Sequence, residues 1–336
     1  MLLGCLSLYA ADNDLITRQI NITLEKAGTL PDRIASSKKN KITNLKIIGE
    51  INGTDLRMIR EMAGSNSNGN STDGKLSVLD LSEAKIVEGG ESYYYNNYNY
   101  YTSNDVIGSC AFDGCSGLTS LTLPAGITSI GSAAFYGCSG LTSLTLSAGI
   151  TEIGNDAFHG CSRLTSLTLP AGITSIGDCT FSGCSGLTSL TLPAGITSIG
   201  DCTFSGCSGL TSLTLPAGIT SIGYSAFWGC SGLTSIYVYA EKVPEIGYNV
   251  FGGVDAKKCT VYVPMGTRDD YCASDFGDYF ENIVEFEATG IDKTTTSTDV
   301  EEVVRYSVNG QRLSAPTKGL NIVKYSDGSV KKVAVR

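Results

Sequence analysis

The sequence predicts a repeat solenoid, because one short pattern recurs at constant spacing through its middle. The pair Ile-Gly returns every 23 residues, and a phenylalanine follows each pair at a fixed offset. The six pairs begin at Ile107, Ile130, Ile153, Ile176, Ile199 and Ile222. The phenylalanines are Phe112, Phe135, Phe158, Phe181, Phe204 and Phe227. A fixed period of this length is typical of coils that stack along one axis.

Each copy also contains Leu-x-x-Leu-x-Leu, which predicts one β-strand in every coil. In the first copy these residues are Leu118, Leu121 and Leu123. A strand alternates its side chains between two faces, so Leu121 and Leu123 point to the core while Thr122 points outward. One copy cannot bury its leucines alone, whereas stacked copies form a parallel sheet over a continuous core. The predicted fold is therefore a right-handed leucine-rich repeat solenoid of about nine or ten coils with a parallel β-strand face.

Before the repeats, the sequence predicts a short leader and an α/β N-terminal cap. Residues 1–11 are apolar and resemble the remnant of a signal peptide or of a lipoprotein leader, with Cys5 as the lipidated residue. Residues 12–106 form the cap. Within it, Leu45-Lys46-Ile47 and Leu79-Asp80-Leu81 match the Leu-x-Leu of the repeat strands and are interpreted as two degenerate coils.

After the full copies in residues 107–236, the sequence predicts a second cap and a separate domain. Residues 237–287 form C-terminal capping repeats, in which Tyr279, Phe280 and Ile283 cover the last coil. Residues 288–300 are rich in threonine and serine and form a linker. Residues 301–336 form a small all-β domain of three strands, because Asn309-Gly310 and Asp327-Gly328 are strong hairpin turns.

A tyrosine-rich insertion lies at the end of the N-terminal cap, just before the first full copy. Insertions in repeat proteins form loops on one face, which is often the binding face. Tyrosine offers a large apolar area and a hydroxyl group at low entropic cost. We therefore predict a ligand-binding loop, the alternative being a low-complexity loop without a partner. The candidate contact residues are Tyr93, Tyr94, Tyr95, Tyr98, Tyr100 and Tyr101.

Two rows of hydroxyl side chains run along the outward side of the predicted strands. Hydroxyl groups both donate and accept hydrogen bonds, so these rows suit a glycan or an extended peptide. The alternative is that threonine simply favours strands and pairs well with itself across them. The serine row is Ser120, Ser143, Ser166, Ser189 and Ser212. The candidate binding threonines are Thr122, Thr145, Thr168, Thr191 and Thr214.

Six cysteines recur with the repeat and are predicted to be buried and reduced. They act as small hydrophobic side chains in an inward row. Two alternatives are a disulfide between stacked neighbours and a zinc site formed by cysteines of two adjacent coils, but one shared row offers no tetrahedral arrangement. We predict no metal and no cofactor. The row is Cys115, Cys138, Cys161, Cys184, Cys207 and Cys230, and the zinc candidates are Cys179, Cys184, Cys202 and Cys207.

Charge is sparse in the repeats, which argues against several classes of function. The net charge is -9 without a basic stripe, which argues against nucleic acid and against an anionic membrane surface. The expected partner is an extracellular protein or glycan. The chain is expected to be a monomer, and its only expected contact with a membrane is a lipid anchor. The charged residues between 107 and 236 are Asp113, Glu152, Asp156, Arg163, Asp178 and Asp201.

Catalytic candidates are few, and we predict that the protein is not an enzyme. His159 is the only histidine, and no partner for it is evident in the sequence. Asp178 and Asp201 occupy the same position of neighbouring copies, about one coil apart, which resembles the carboxylate pair of a retaining glycosidase. The alternative, which we favour, is that both are copied surface residues. A polysaccharide-active enzyme remains a rival hypothesis.

The repeat IGxxAFxGCSGLTSLTLPAGITS resembles the leucine-rich repeat, type 5, of BspA-like surface proteins from anaerobic bacteria of the gut and mouth. The resemblance covers residues 107–236, and residues 257–285 look like the closing unit of that family. The segments YSVNGQR and KGLNI are similar to a small β-domain that ends many secreted Bacteroidetes proteins, some of which use it as a sorting signal.

This resemblance implies a location outside the cytoplasm, at the cell surface and associated with the outer membrane. It also implies a binding or adhesion function directed at a host glycoprotein, matrix protein or polysaccharide. A structural surface spacer is the alternative. The family has no fixed motif of functional residues, so the resemblance assigns no site residue.

Overall fold

The computed structural model describes residues 14–286 and four strands within residues 302–335. It divides into two units, Met1–Phe286 and Glu287–Arg336. The predicted leader at 1–11 and the predicted linker at 288–300 lie outside the described residues. The first unit is a stack of repeats with parallel strands, as predicted.

Between residues 14 and 86, the first unit contains three strands and three helices. Its strands pair in parallel in the order β1-β2-β3, so β1 adds one strand before the two predicted degenerate coils. A capping box begins helix α3, since Asn52 accepts the Thr54 N–H and Asp55 accepts the Asn52 N–H. The elements are β1 (Ile20–Leu24), α1 (Leu30–Arg33), α2 (Ser36–Lys39), β2 (Asn44–Ile51), α3 (Gly53–Met62) and β3 (Val78–Ile86).

The tyrosine-rich insertion is a β-hairpin, and the prediction of a loop there was wrong. Strands β4 (Gly89–Tyr95) and β5 (Asn99–Thr102) pair antiparallel, with Tyr94 opposite Tyr100. The turn between them contains Asn97 at a φ of 63°, a left-handed conformation that asparagine adopts more readily than most residues. The insertion therefore has a defined inner and outer side.

Each repeat contributes a two-residue strand and a longer strand, which form two separate parallel faces. The two-residue strands are β6 (Val106–Ile107), β8 (Ser129–Ile130), β10 (Glu152–Ile153), β12 (Ser175–Ile176), β14 (Ser198–Ile199), β16 (Ser221–Ile222) and β18 (Glu245–Ile246). The longer strands are β7 (Ser120–Thr122), β9 (Ser143–Thr145), β11 (Ser166–Thr168), β13 (Ser189–Thr191), β15 (Ser212–Leu215), β17 (Ser235–Val238), β19 (Thr260–Pro264) and β20 (Ile283–Phe286).

The longer strands extend the N-terminal sheet as far as β13, and a second sheet follows it along the stack. One sheet runs β1-β2-β3-β7-β9-β11-β13, and the next runs β15-β17-β19-β20. Seven and four strands give eleven, against the nine or ten coils predicted. We call the solvent-facing side of these strands the sheet face. The short strands form the sheets β10-β8-β6 and β12-β14-β16-β18.

A column of phenylalanine rings fills the core between the two faces. From Phe112 to Phe251, neighbouring rings stack at centroid distances of 5.2–5.7 Å. Each ring is almost fully buried, and burial of one such side chain contributes about 1.5–3 kcal/mol. The repeated phenylalanine therefore ties each coil to both neighbours.

The repeated cysteines lie beside this column and are buried, as predicted. Their thiols donate to the phenylalanine carbonyl of the preceding coil, for example Cys138 Sγ to the Phe112 oxygen at 3.1 Å and Cys184 Sγ to the Phe158 oxygen at 3.2 Å. Desolvation raises the pKa of Cys115 and of Cys184 to about 12, so both are neutral thiols at physiological pH.

Two short helices close the C-terminal end of the first unit, α4 (Arg268–Cys272) and α5 (Asp275–Tyr279). Phe276 and Phe280 pack on Phe251, the last ring of the column, at centroid distances of 5.7 and 5.0 Å. The Tyr271 hydroxyl donates to the Ala240 carbonyl at 2.8 Å. The open core is thereby covered by aromatic side chains.

The second unit contains one antiparallel sheet in the order β22-β21-β23-β24. Its strands are β21 (Glu302–Ser307), β22 (Arg312–Leu313), β23 (Gly319–Tyr325) and β24 (Val330–Val335). Three of them lie where the sequence predicts strands, and β22 is an additional short one. The predicted turns at 309–310 and 327–328 lie outside the described residues.

Candidate binding surfaces

The predicted threonine row lies on the sheet face and is exposed. Thr122 pairs in register with Thr145, and Thr168 with Thr191, while the leucine before each of them is buried. The strands β9 and β11 and the turns after them line a shallow groove of about 560 Å³. The exposed threonines of the first sheet are Thr122, Thr145, Thr168 and Thr191, and Thr214 is the exposed threonine of the next sheet.

The two ends of this row have different chemistry. At the N-terminal end, Lys46 Nζ lies 3.3 Å from Asp80 and 2.7 Å from Glu83, and these hydrogen bonds raise the pKa of Lys46. At the C-terminal end, Tyr237 and Tyr262 stack with their ring centroids 4.5 Å apart. Tyr237 pairs with Thr214, and Tyr262 pairs with Tyr237, so both tyrosines continue the threonine row. This extension was not predicted from the sequence.

Only part of the tyrosine hairpin is available to a ligand, which corrects the prediction that all six tyrosines contact one. Tyr93 and Tyr94 are buried, and Tyr100 is half-buried against Tyr94. Tyr94 lies opposite Tyr100, and the strand pairing is irregular between Gly89 and Tyr94, so the consecutive Tyr93 and Tyr94 are both buried. We call Tyr93, Tyr94 and Tyr100 the inner tyrosines. The exposed tyrosines, with their exposed fractions, are Tyr95 at 49%, Tyr98 at 74% and Tyr101 at 54%.

The inner tyrosines help to complete the hydrogen bonds of the first full coil. Within the stack, backbone N–H groups of each coil donate to carbonyls of the next, so the first coil has carbonyls without a donor from a preceding coil. By analogy with Ser132, Ala134 and Tyr136 of the second coil, which accept from Cys110, Phe112 and Gly114, these carbonyls belong to Ser109, Ala111 and Asp113.

Arg60 and Tyr93 supply the missing donors. The Tyr93 hydroxyl donates to the Ser109 carbonyl at 2.7 Å. The buried Arg60 guanidinium donates to the Ala111 carbonyl at 3.1 Å and to the Asp113 carbonyl at 2.9 Å, and it lies 4.6 Å from the Tyr94 ring centroid. Burial raises the pKa of Tyr93, which keeps its hydroxyl a donor at physiological pH. These side chains therefore cap the stack.

Asp178 and Asp201, the carboxylates of the rival enzyme hypothesis, serve as backbone acceptors. Asp178 Oδ1 accepts the Asp201 N–H at 2.8 Å, and Asp201 Oδ1 accepts the Tyr224 N–H at 2.7 Å. Asn155 occupies the same position one coil earlier and accepts the Asp178 N–H at 3.0 Å. A neutral amide thus makes the same contact, which gives these carboxylates a structural role that requires no charge.

The remaining candidates for chemistry are dispersed. His159 stacks on Tyr136 at 4.6 Å, and its Nδ1 lies 3.2 Å from Asp156. Cys179 and Cys202 are half-buried at equivalent positions, and the thiols of Cys184 and Cys207 donate to carbonyls. Among the described residues, no group of His, Cys, Asp and Glu side chains is suited to hold a metal ion. In the same part of the chain, no helix has the length and apolarity needed to cross a bilayer.

Comparison with known proteins identifies the family. The family model of the BspA type leucine-rich repeat region matches six copies, over residues 91–177 and 151–273, which together exceed half of the chain. The chain belongs to the BspA-type leucine-rich repeat family. Comparison with curated proteins gives no match.

Solved structures of bacterial leucine-rich repeat proteins are similar to this chain. A leucine-rich repeat protein of T. pallidum is 29% identical, with 58% of this chain and 83% of that one covered and a TM-score of 0.45. One from Bacteroides ovatus is 22% identical, covering 80% and 69%, with a TM-score of 0.40. A leucine-rich cell surface protein from Faecalibacterium prausnitzii is 25% identical, covering 60% and 69%, with a TM-score of 0.37.

Proposed function

We propose that this chain is a non-catalytic recognition protein at the bacterial cell surface, which binds an extracellular macromolecule through the tyrosine hairpin. The ligand class is a host glycoprotein, a matrix protein or a polysaccharide. Membership of a family of surface proteins supports the location and a binding role. The observation that carries the proposal is the division of the hairpin into three anchored and three exposed tyrosines.

The anchoring side of the hairpin holds the exposed side in place. Tyr93 is hydrogen-bonded to the first coil, and the Tyr95 N–H donates to the Ser67 carbonyl at 2.7 Å. Arg57 of helix α3 pairs with Glu91 at 2.8 Å. Binding usually costs conformational entropy when side chains and loops become ordered. A hairpin that is already ordered avoids much of that cost.

The exposed side carries groups that suit a mixed polar and apolar ligand. Tyr95, Tyr98 and Tyr101 each combine a ring with a hydroxyl group, and Asn96 and Asn97 at the turn add amide groups that donate and accept. Rigid tyrosines beside adaptable polar residues are typical of binding loops.

The test is an array of host glycoproteins, matrix proteins and polysaccharides, probed with the intact chain and with the Tyr95→Ser/Tyr98→Ser/Tyr101→Ser triple variant. We expect the triple variant to bind at least tenfold more weakly, because aromatic contacts dominate such interfaces. Deleting the hairpin is unsuitable, since it removes the Tyr93 cap. The matched control is Tyr136→Ser, an exposed tyrosine whose position holds Ser182 and Ser205 in other coils.

Three outcomes would contradict the proposal. Equal binding by the intact chain and the triple variant would remove the hairpin as the site. Release of sugar products that stops when Asp178 and Asp201 are replaced would make the protein an enzyme. Absence of any ligand on a broad array would favour a structural spacer.

The proposed location and the proposed role of residues 301–336 in sorting need separate tests. Protease treatment of intact cells should remove the protein if it lies at the surface, and a protected protein would contradict that location. Deletion of residues 301–336 should abolish export if they are a sorting signal. Unchanged export would leave them as an accessory domain.

A further inference from the structure

The last full repeat copy replaces two small polar surface residues with aromatic ones. Tyr224 stands where the preceding coil has Asp201, and Trp228 stands where it has Ser205. The following coil adds Tyr248 at the position of Tyr224. The preceding coil folds with the small polar residues, so these aromatic rings are not required for the coil to form.

The three rings lie in solvent at fixed positions. Tyr224 is 47% exposed, Trp228 49% and Tyr248 79%. The rings of Tyr224 and Tyr248 stack with centroids 6.1 Å apart and planes inclined by 20°. The Trp228 indole lies over Gly252, where an added Cβ would come within 2.8 Å of Trp228 Cδ1. The glycine thus leaves room for the indole. We call Tyr224, Trp228 and Tyr248, which stand on two consecutive coils, the aromatic patch.

The size of the aromatic patch favours a small or thin ligand over a folded protein. Its three side chains expose roughly 350 Å² together, given the roughly 150–250 Å² that each aromatic side chain can bury. A stable protein interface needs about 800 Å² on each partner. A few sugar units of a polysaccharide chain, in contrast, can be covered by three rings.

The charge and the chemistry of the aromatic patch restrict the class of ligand further. The Asp201 carboxylate accepts the Tyr224 N–H at 2.7 Å, so a negative charge lies beside the rings and disfavours an anionic ligand. Tyrosine and tryptophan each combine an apolar ring face with a polar group at the rim. A pyranose ring has the complementary form, with an apolar C–H face and hydroxyl groups along its edge.

We propose that Tyr224, Trp228 and Tyr248 form a binding site for a neutral polysaccharide. The site is separate from the tyrosine hairpin, because Tyr224 lies five coils after the equivalent Ser109, to which Tyr93 bonds. Five coils correspond to about 24 Å at the spacing of neighbouring strands. The proposal therefore holds whether or not the hairpin binds a ligand.

Trp228 is the only tryptophan of the chain, so intrinsic tryptophan fluorescence reports on this site alone. The full chain is titrated with soluble starch, mixed-linkage β-glucan and mannan as neutral probes, and with hyaluronan as an anionic control. We expect at least one neutral probe to shift the Trp228 emission to shorter wavelength and to protect it from acrylamide quenching. The same probe should retard the chain in affinity electrophoresis.

The matched variants Tyr224→Asp and Trp228→Ser restore the residues of the preceding coil, and their backbone geometry is already present in this structure. Tyr248→Ser removes the most exposed ring and keeps the fluorescent reporter. Each variant should weaken retardation at least tenfold, and Tyr136→Ser, at a distant exposed tyrosine, should not change it. Circular dichroism verifies that every variant is folded.

Several results would overturn the proposal. They are the absence of a shift and of retardation with every neutral probe, a response to hyaluronan alone, and unchanged retardation of Trp228→Ser. The hairpin triple variant separates the two proposals, because it should keep its retardation by the neutral probe. Loss of that retardation in the hairpin variant would place the polysaccharide at the hairpin and contradict a site at Trp228.

Discussion

The middle coils and the two ends of the repeat unit differ in how their backbone hydrogen bonds are completed and in how their core is covered. In the middle, each coil donates to the next, as from Phe135 to Ala157 at 2.8 Å. At the N-terminal end, Arg60 and Tyr93 replace the donors of a missing coil. At the C-terminal end, aromatic residues such as Phe276 cover the last ring. The contacts of the middle coils therefore follow from the repeated sequence. The contacts at each end depend on individual side chains that do not recur in other coils.

The largest expected effect is a loss of stability at alkaline pH. It arises in the repeated coils, where several equivalent buried thiols favour the folded state until the pH is high enough to ionise them. Burial raises the pKa of the six repeated cysteines, for example of Cys115 and Cys230 to about 12, from an ordinary value of 9.0. The folded state therefore keeps thiols protonated that the unfolded chain ionises. Their stabilising contribution is complete below pH 9 and is lost as pH rises towards 12.

Each such thiol lowers the free energy of unfolding by up to about 1.4 kcal/mol per pH unit in that range, and the effects of the six thiols have the same sign. Urea unfolding at pH 8, 9 and 10 measures this slope. Cys184→Ala should reduce the slope, because it removes one of the buried thiols. A flat stability between pH 9 and 10, or rapid labelling of any of the six repeated cysteines in the folded chain, would contradict their burial.

The C-terminal end provides the next largest effect. Phe276→Ala should lower the free energy of unfolding by about 3–5 kcal/mol, because the buried ring leaves a cavity against Phe251. Tyr248→Ala removes an exposed ring near the same end and should change stability by about 0.5 kcal/mol or less. Similar losses in both variants, measured by urea unfolding, would mean that Phe276 does not cover the core.

At the N-terminal end, Arg60→Met should cost about 2–4 kcal/mol, since the Ala111 and Asp113 carbonyls each lose a charged donor. Hydrogen exchange should show the loss first in the amides of the first coil. Arg57→Met, on the same helix, removes only the half-exposed pair with Glu91 and should cost about 1 kcal/mol or less. Faster exchange in both variants alike would argue against a capping role for Arg60.

A smaller effect at the same end concerns one hydroxyl group. Tyr93→Phe keeps the ring but leaves the Ser109 carbonyl without its donor, which should cost about 1 kcal/mol. Tyr101→Phe removes an exposed hydroxyl and should be neutral to within about 0.5 kcal/mol. Thermal unfolding of the two variants side by side distinguishes a capping hydroxyl from a solvated one, and equal melting temperatures would refute the cap.

The sequence predicted the middle of this unit well, because period and alternation determine which side chains face inward. Leu167 is buried and Thr168 exposed, as the Leu-x-Leu pattern requires. The ends were less predictable, since no second copy reveals the role of Arg60. The aromatic patch could have been found by aligning Trp228 with Ser205. The inner side of the hairpin was missed because its many tyrosines and asparagines favoured a loop over an alternating strand.

The smallest expected effect on stability tests whether Asp178 and Asp201 have a structural or a catalytic role. Asp201→Ala removes the acceptor of the Tyr224 N–H and should cost about 0.5–1 kcal/mol, because this hydrogen bond lies at the surface. Asp201→Asn should change the stability little, because the amide oxygen of Asn155 already accepts the equivalent hydrogen bond, from the Asp178 N–H. Urea unfolding of both variants measures the difference.

The amide substitution also distinguishes the two hypotheses for these residues. A glycosidase loses activity when a carboxylate of its pair becomes an amide, since neither proton transfer nor nucleophilic attack is then available. The Asp178→Asn/Asp201→Asn variant should therefore keep both stability and ligand binding in a recognition protein. If the intact chain released reducing sugar from a neutral polysaccharide and this variant did not, the shared backbone contact would be secondary, and the two carboxylates would be catalytic.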